Sequence, residues 1–274
     1  HRQVLHGYCQ ACFLGLGYAK SSEPVSVSII RLENITMKRS RPQVAAPRFN
    51  LMNQKMGKKG AATRCRILDA TVSLVETQDG SMPSVSMICR VAEISKPTFY
   101  QYFEQFNDLV AELLRPTESS VDDLAALLAE DWPEAELNDR AYQFVTAFFD
   151  YWDRFHVPLR LRNLLADAGD REMIEIRLRS IDPVMRELAD KIRKARGSQH
   201  KRREDHALAI SIMHAVNSAA MTITHHVYPR AVSEVITRIH GYFGDIQQRS
   251  LAHLIVLVLQ YPEFVVPNEP PQPA

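Results

Sequence analysis

Two helix-start signals, Ser84 and Ser95, stand eleven positions apart, a spacing that leaves room for a short helix, a tight turn and the start of another helix. Pro83 keeps the preceding chain out of helical geometry, and the Ser84 hydroxyl can accept one of the N–H groups that a first turn leaves free. The helix that follows is expected to end near Ala92. Ser95 caps the next, and Pro97 falls in its first turn, where a missing N–H costs nothing. This second helix carries Thr98, Phe99, Tyr100, Gln101, Tyr102 and Phe103. Upstream, Ile67, Leu68, Thr71, Leu74 and Val75 recur at helical spacing over about 63–76, until Gln78, Asp79 and Gly80 end the run. Three short helices are therefore predicted before residue 106.

The remainder is a succession of apolar-periodic segments with no strand-like alternation, which predicts an all-α fold. The segments are about 107–129, 137–155, 158–168, 171–196, 203–227, 231–240 and 246–261. Breaks are expected at Pro133, Pro158, Gly169, Gly197, Pro229, Gly241 and Gly244. No internal repeat is visible. The organisation expected is an irregular basic tail over 1–55, a three-helix domain over 56–106, a larger helical domain over 107–261 and a Pro-rich tail over 262–274. The chain opens on His1, and Met37, Met52 and Met56 are each plausible natural starts, so little of the fold is expected to depend on what precedes them.

Charge divides the chain unevenly. Up to Arg115 there are 15 Lys and Arg against 9 Asp and Glu, and beyond it 18 against 23. An excess of cations at one end points that end towards a polyanion. Nine basic residues and no acid lie between Asn34 and Leu68, which reads either as a solvated, flexible segment or as an arm along nucleic-acid phosphates. Four cysteines, Cys9, Cys12, Cys65 and Cys89, are too few and too bunched to staple a secreted domain, so a reducing cytoplasm is expected. Cys9, Cys12 and His6 have zinc-like spacing but no second ligand pair, and neither a metal nor a cofactor is expected. The apolar run from Ala11 to Ala19 is too short to span a bilayer, so no membrane partner is expected.

From Val85 to Phe103 the sequence reads VSMICRVAEISKPTFYQYF, followed by Asp108 and Leu109, and it resembles the N-terminal domain of the TetR family of transcription regulators. The resemblance covers about residues 61–115. It implies a helix-turn-helix, the geometry that fits a major groove, in which Ile88, Phe99 and Phe103 hold the two helices at their crossing angle. It also implies that Thr98 and Tyr102 bond phosphates, that Lys96 adds a charged phosphate contact, and that Tyr100 and Gln101 face the groove. Gln101 is the best candidate for direct readout, because a Gln amide pairs bidentately with adenine. Ser84 and Ser86, at a helix N-terminus, are candidate phosphate partners. Three positions depart from the family pattern: Met87 stands where an acid is usual, Glu93 where the turn prefers Gly, and Phe106 where Lys is usual. A side chain at position 93 is strained if its φ is positive.

By the same resemblance the body holds an apolar effector pocket and a dimer interface made by the last two long helices. Phe144, Phe148, Phe149, Tyr151, Trp152 and Phe155 form the densest aromatic cluster, which reads as core or, taken as a set, as the lining of a cavity for an apolar or aromatic small molecule. Ile210, His214, Asn217, Met221 and His225 share one helical face, and His214 and Asn217 suit either a pocket or a dimer seam. The ligand residues expected are Phe148, Phe149, Trp152, Phe155, His214, Asn217 and Met221. Leu208, Ile212, Ala215, Ala219 and Ile223 make a second face, matched by Leu251, Leu254, Ile255 and Val258 for a homodimer reading a pseudo-palindromic operator on double-stranded DNA. No HExxH, GxSxG or phosphate loop is present, so no enzyme is expected. The resemblance implies a repressor released from its operator by a hydrophobic small molecule. The alternative is a helical ligand-binding or interaction protein whose DNA binding has weakened.

Overall fold

The computed structural model describes residues 57–77, 81–197, 203–223 and 230–261, and within them every regular element is helical. Three helices come first: α1 (Lys58–Thr77), α2 (Val85–Val91) and α3 (Lys96–Tyr100). α4 (Phe106–Ala129) leads into the body, where a 3-10 turn at Glu134–Glu136 precedes α5 (Leu137–Arg154), α6 (His156–Asp167), α7 (Arg171–Ala195), α8 (Arg203–Ile223) and α9 (Arg230–Gln260). The expected tails over 1–55 and 262–274 lie outside the described residues, as do Cys9, Cys12, His6 and His225.

The body is built around α7, which packs on α4, α6, α8 and α9. α5 packs on α9, α8 and α4, and α4 also meets α6. α5 owes its place to sequence: Ala141, Phe144, Val145, Phe148, Phe149, Tyr151 and Trp152 are all buried, a stripe too wide for a one-sided surface helix. α7 begins where the Asp170 carboxylate accepts the Met173 N–H at 3.0 Å, and it ends at Gly197, whose φ of +65° is the left-handed stop that glycine allows.

Several expected boundaries move. α1 starts five residues earlier than its apolar period, and α3 is shorter than expected, with Gln101 already in the turn that follows. Pro158 does not break the chain. It lies in the first turn of α6, buried, where it has no N–H to contribute, and the break falls at Phe155. Gly241 and Gly244 do not divide the last segment either, because α9 runs through both as one helix. A helical glycine costs only about 1 kcal/mol relative to Ala. Packing of α9 along α5 and α8 outweighs that cost.

Candidate functional site

In the headpiece formed by α1 to α3, the two serines act as the sequence requires. Ser84 Oγ accepts the Met87 N–H at 3.3 Å and Ser95 Oγ accepts the Thr98 N–H at 3.2 Å. Between these caps the Ala92 N–H returns to Ile88 C=O at 2.8 Å and the Ile94 N–H to Cys89 C=O at 3.0 Å, so the chain turns within three residues. Glu93 makes that turn at φ +53°, a conformation that strains a side chain by about 1–2 kcal/mol. Beneath the turn Ile67, Ile88, Phe99 and Phe103 are fully buried, with the rings of Phe99 and Phe103 5.7 Å apart. The other side of the same helices is polar. Ser84, Ser86, Lys96 and Tyr100 are exposed, and Thr98, Gln101 and Tyr102 are half-buried. All seven predicted DNA-side residues therefore sit at the start of α2, on α3 or in the turn just after it, and none is buried. Met87 and Phe106, two of the departures from pattern, pack against the core.

Two links tie the headpiece to the body. Arg64 of α1 and Glu112 of α4 form an ion pair at 2.8 Å, both side chains only 8% exposed, and the Arg64 guanidinium also lies 5.1 Å from the centre of the Phe103 ring. Within the body, Asn107 at the start of α4 donates to Asp170, the cap of α7, at 2.6 Å. That bond and the Met173 N–H, which contributes more, hold the Asp170 carboxyl below the usual carboxylate range. On the far side His156 Nε2 is 3.9 Å from Glu76 of α1, while His156 Nδ1 donates to Asp153 C=O at 2.7 Å.

In the body, Phe148, Phe149, Trp152 and Phe155 are all buried, and the ring centres of Phe148 and Tyr151 lie 5.9 Å apart, those of Tyr151 and Phe155 5.5 Å. Trp152 Nε1 donates to Asn217 Oδ1 at 3.1 Å, which brings α8 against α5. Met221 packs against the same core. His214 is not brought to this group: Met213, Val216 and Ala220 take the inward positions of α8 and leave His214 exposed. Of the expected second face of α8, Ile212 and Ala219 are buried, whereas Leu208 and Ala215 are half-buried. On α9, Ile255 and Val258 are buried within the protomer, whereas Leu254 faces out.

Residues 124–228, from the second half of α4 past the end of α8, match a family model described as Tetracyclin repressor-like, C-terminal domain. That region of the chain is similar to the C-terminal domain of tetracycline-repressor-type regulators, which supports TetR family membership. The match falls on the body, so it is independent of the residues from Val85 to Phe103 that carry the resemblance in the headpiece. No curated protein matches the chain in sequence. TetR-family domains in general dimerise and bind DNA, and the match points to a regulator of TetR type.

Among the described residues, clefts open on this body away from the aromatic rings of α5. One, of about 580 Å³, lies between the end of α4 and the C-terminal ends of α7 and α9, with Trp132, Leu137, Lys191 and Tyr261 in its wall. Another, of about 320 Å³, lies between α7 and α8 beside Arg186, Arg193 and Arg203. Among the described residues no helix is long and apolar enough to cross a membrane, and no three His, Cys, Asp or Glu gather as metal ligands.

Sequence reasoning missed one set of residues. Arg162 of α6 is buried, and donates to Ser180 of α7 at 2.9 Å and to Asn163 at 3.0 and 3.2 Å. The Tyr151 hydroxyl lies close to both Arg162 and Thr117 of α4. The signal was present, since Arg162 occupies a position three residues from both Leu159 and Leu165, on the apolar stripe of its helix. A basic residue there is either snorkelling or held inside.

Proposed function

We propose that this chain is a homodimeric, ligand-responsive transcription regulator acting in the cytoplasm, a repressor that occupies a pseudo-palindromic operator and is released when a hydrophobic small molecule enters the body. The observation that carries this reading is the headpiece itself. A fully buried apolar core fixes two short capped helices, while Ser84, Ser86, Lys96 and Tyr100 are exposed at their starts and along them and Thr98, Gln101 and Tyr102 are half-buried beside these. Hydroxyls and one ammonium suit phosphate contacts, and an amide at Gln101 suits a base edge.

Dimerisation is supported by the outer face of α9, where Ile246, Leu254, Leu257 and Tyr261 are exposed at spacings of eight, three and four residues. On α8, Ala207, Ser211 and Ser218 are exposed and small, which allows close approach of a second helix. A two-fold bundle of α8 and α9 with their counterparts would bury both sets.

Release requires that the body have two states. The α5 rings are packed to near-complete burial, so an effector among them parts the helices around α5. α4 carries that change towards the headpiece, which it grips through Arg64 and Glu112. The test is a gel shift with the DNA immediately upstream of the chain's own coding sequence. A retarded band abolished by Thr98→Ala with Tyr102→Phe supports the reading, and a band indifferent both to that double substitution and to added salt contradicts it. A second reading, a ligand-binding body with weakened DNA affinity, is favoured by the strained Glu93 turn and by the apolar Phe106.

A further inference from the structure

Arg162 is 6% exposed and carries a charge that no carboxylate among the described residues answers. A guanidinium does not shed its proton in a protein, so the charge stays inside. Everything around it is neutral or cationic. Ser180 Oγ, which receives the Arg162 donor at 2.9 Å, passes its own proton to Arg177 C=O at 3.0 Å. Asn163 offers one amide oxygen to two donors. Thr117 Oγ1 donates to Leu114 C=O at 2.6 Å, and the neutral Tyr151 hydroxyl lies close to Arg162. Arg177 lies near enough to disfavour a second positive charge, although burial is the larger cause that lowers the Arg162 pKa. Buried charges in proteins are otherwise paired.

We propose that Arg162 is the anchor for an organic carboxylate, so that the effector of this chain is an anion whose apolar part lies against the rings of Phe148, Tyr151 and Phe155. This rests on reading the chain as an effector-responsive regulator. The site is made by four helices: α6 supplies Arg162 and Asn163, α7 Ser180, α5 Tyr151 and the rings, and α4 Thr117. A carboxylate is the bidentate partner a guanidinium lacks here, and taking it exchanges neutral acceptors for a charged one. Tyr151, close to both Arg162 and Thr117, places the site beside Pro116 of α4, which has no N–H to give to Glu112 C=O. Glu112 is the residue that grips Arg64 of the headpiece. The weakest turn of α4 therefore lies between the anion site and the headpiece clasp.

The test uses the full chain and three probes at matched ionic strength: benzoate, benzamide and inorganic phosphate. Thermal unfolding is expected to show benzoate raising Tm by about 3–5 °C at ten times its dissociation constant, with the other two within about 1 °C of buffer. Arg162→Gln is expected to abolish the benzoate shift, while Arg177→Gln, whose guanidinium pairs with Asp167, retains it. The proposal is overturned if benzamide or phosphate matches benzoate, if the benzoate shift survives Arg162→Gln, or if benzoate has no effect on the wild-type chain at tens of millimolar. Should Arg162→Gln fail to fold, the wild-type contrast of acid with amide still decides. DNA binding, measured separately, distinguishes the two readings. Benzoate selectivity without specific DNA binding leaves the anion site and removes the regulator. Specific DNA binding without a benzoate response does the reverse.

Discussion

In the headpiece, Lys96, Gln101 and Tyr102 stand outside a small core of Ile67, Ile88, Phe99 and Phe103, whereas in the body Arg162 lies inside an aromatic core, among groups contributed by four helices. The outer site depends on local order: a cap, a proline in the first turn, and alternation of apolar with polar side chains along one short helix. The inner one depends on residues brought from 117, 151, 162 and 180, and no single segment specifies it. A site of the first kind tolerates change in its polar groups without unfolding. One of the second kind couples binding to the packing of the whole body, which is what a sensor requires.

The largest effect expected is on the headpiece core. Phe103→Ala removes a buried ring that packs on Phe99 and lies under Arg64, at a cost of about 3–5 kcal/mol. Amide exchange should speed up across α1 to α3 well before α5 and α7. Equal loss of protection in both regions would break the comparison, since headpiece and body would then be one cooperative unit. Glu112→Gln strands the Arg64 guanidinium in its buried position and should cost about 3 kcal/mol by urea unfolding. A cost under about 1 kcal/mol would mean that the clasp contributes little.

Thr98→Ala with Tyr102→Phe should leave the unfolding free energy within about 1 kcal/mol and weaken DNA binding about tenfold, the separation expected of a surface site. Glu93→Gly should raise stability by about 1 kcal/mol, because glycine adopts φ +53° without the clash that a side chain suffers. A loss on this change would show that the Glu93 side chain makes a contact worth more than the strain. The smallest effect concerns Lys191, a displaced cation at the rim of the body, held 4.3 Å above the Trp132 ring. Burial first, and Lys194 second, push its ammonium from 10.5 down to about 8. The unfolded chain then binds more protons between about pH 8 and 10.5, so this group's contribution to stability rises with pH across that window and is lost as pH falls through 8. Comparison of Tm at pH 8 and pH 10 should show the rise reduced in Lys191→Met. An unchanged rise would assign it to other groups.

The headpiece was legible because its determinants are near neighbours in sequence: Ser84, Ser95 and Pro97 set the helix starts, and the Phe99 and Phe103 spacing set the buried side. Even Glu93 gave notice of itself, as a side chain in a turn that favours glycine. In the body, helix order, the aromatic stripe of α5 and part of the inward face of α8, Ile212 and Ala219, were legible, but the rest of that face was not, because Ala209 and Ala220 are too small to stand out in an apolar pattern. His214 drew attention by its chemistry and is exposed; Arg162 sat on an apolar stripe and is buried. The break at Gly241 and Gly244 failed for the same reason: a local preference worth about 1 kcal/mol per residue yields to packing along a helix of this length.

The most direct test of the central claim, that the polar face of α2 and α3 reads DNA, is the salt dependence of binding by fluorescence anisotropy, with duplexes from immediately upstream of the coding sequence and scrambled controls. The account predicts tight binding to the upstream duplex, weak binding to the scrambled one, and a steep fall of both with rising salt as phosphate counterions compete. Equal, weak and salt-insensitive binding to the two duplexes would contradict it.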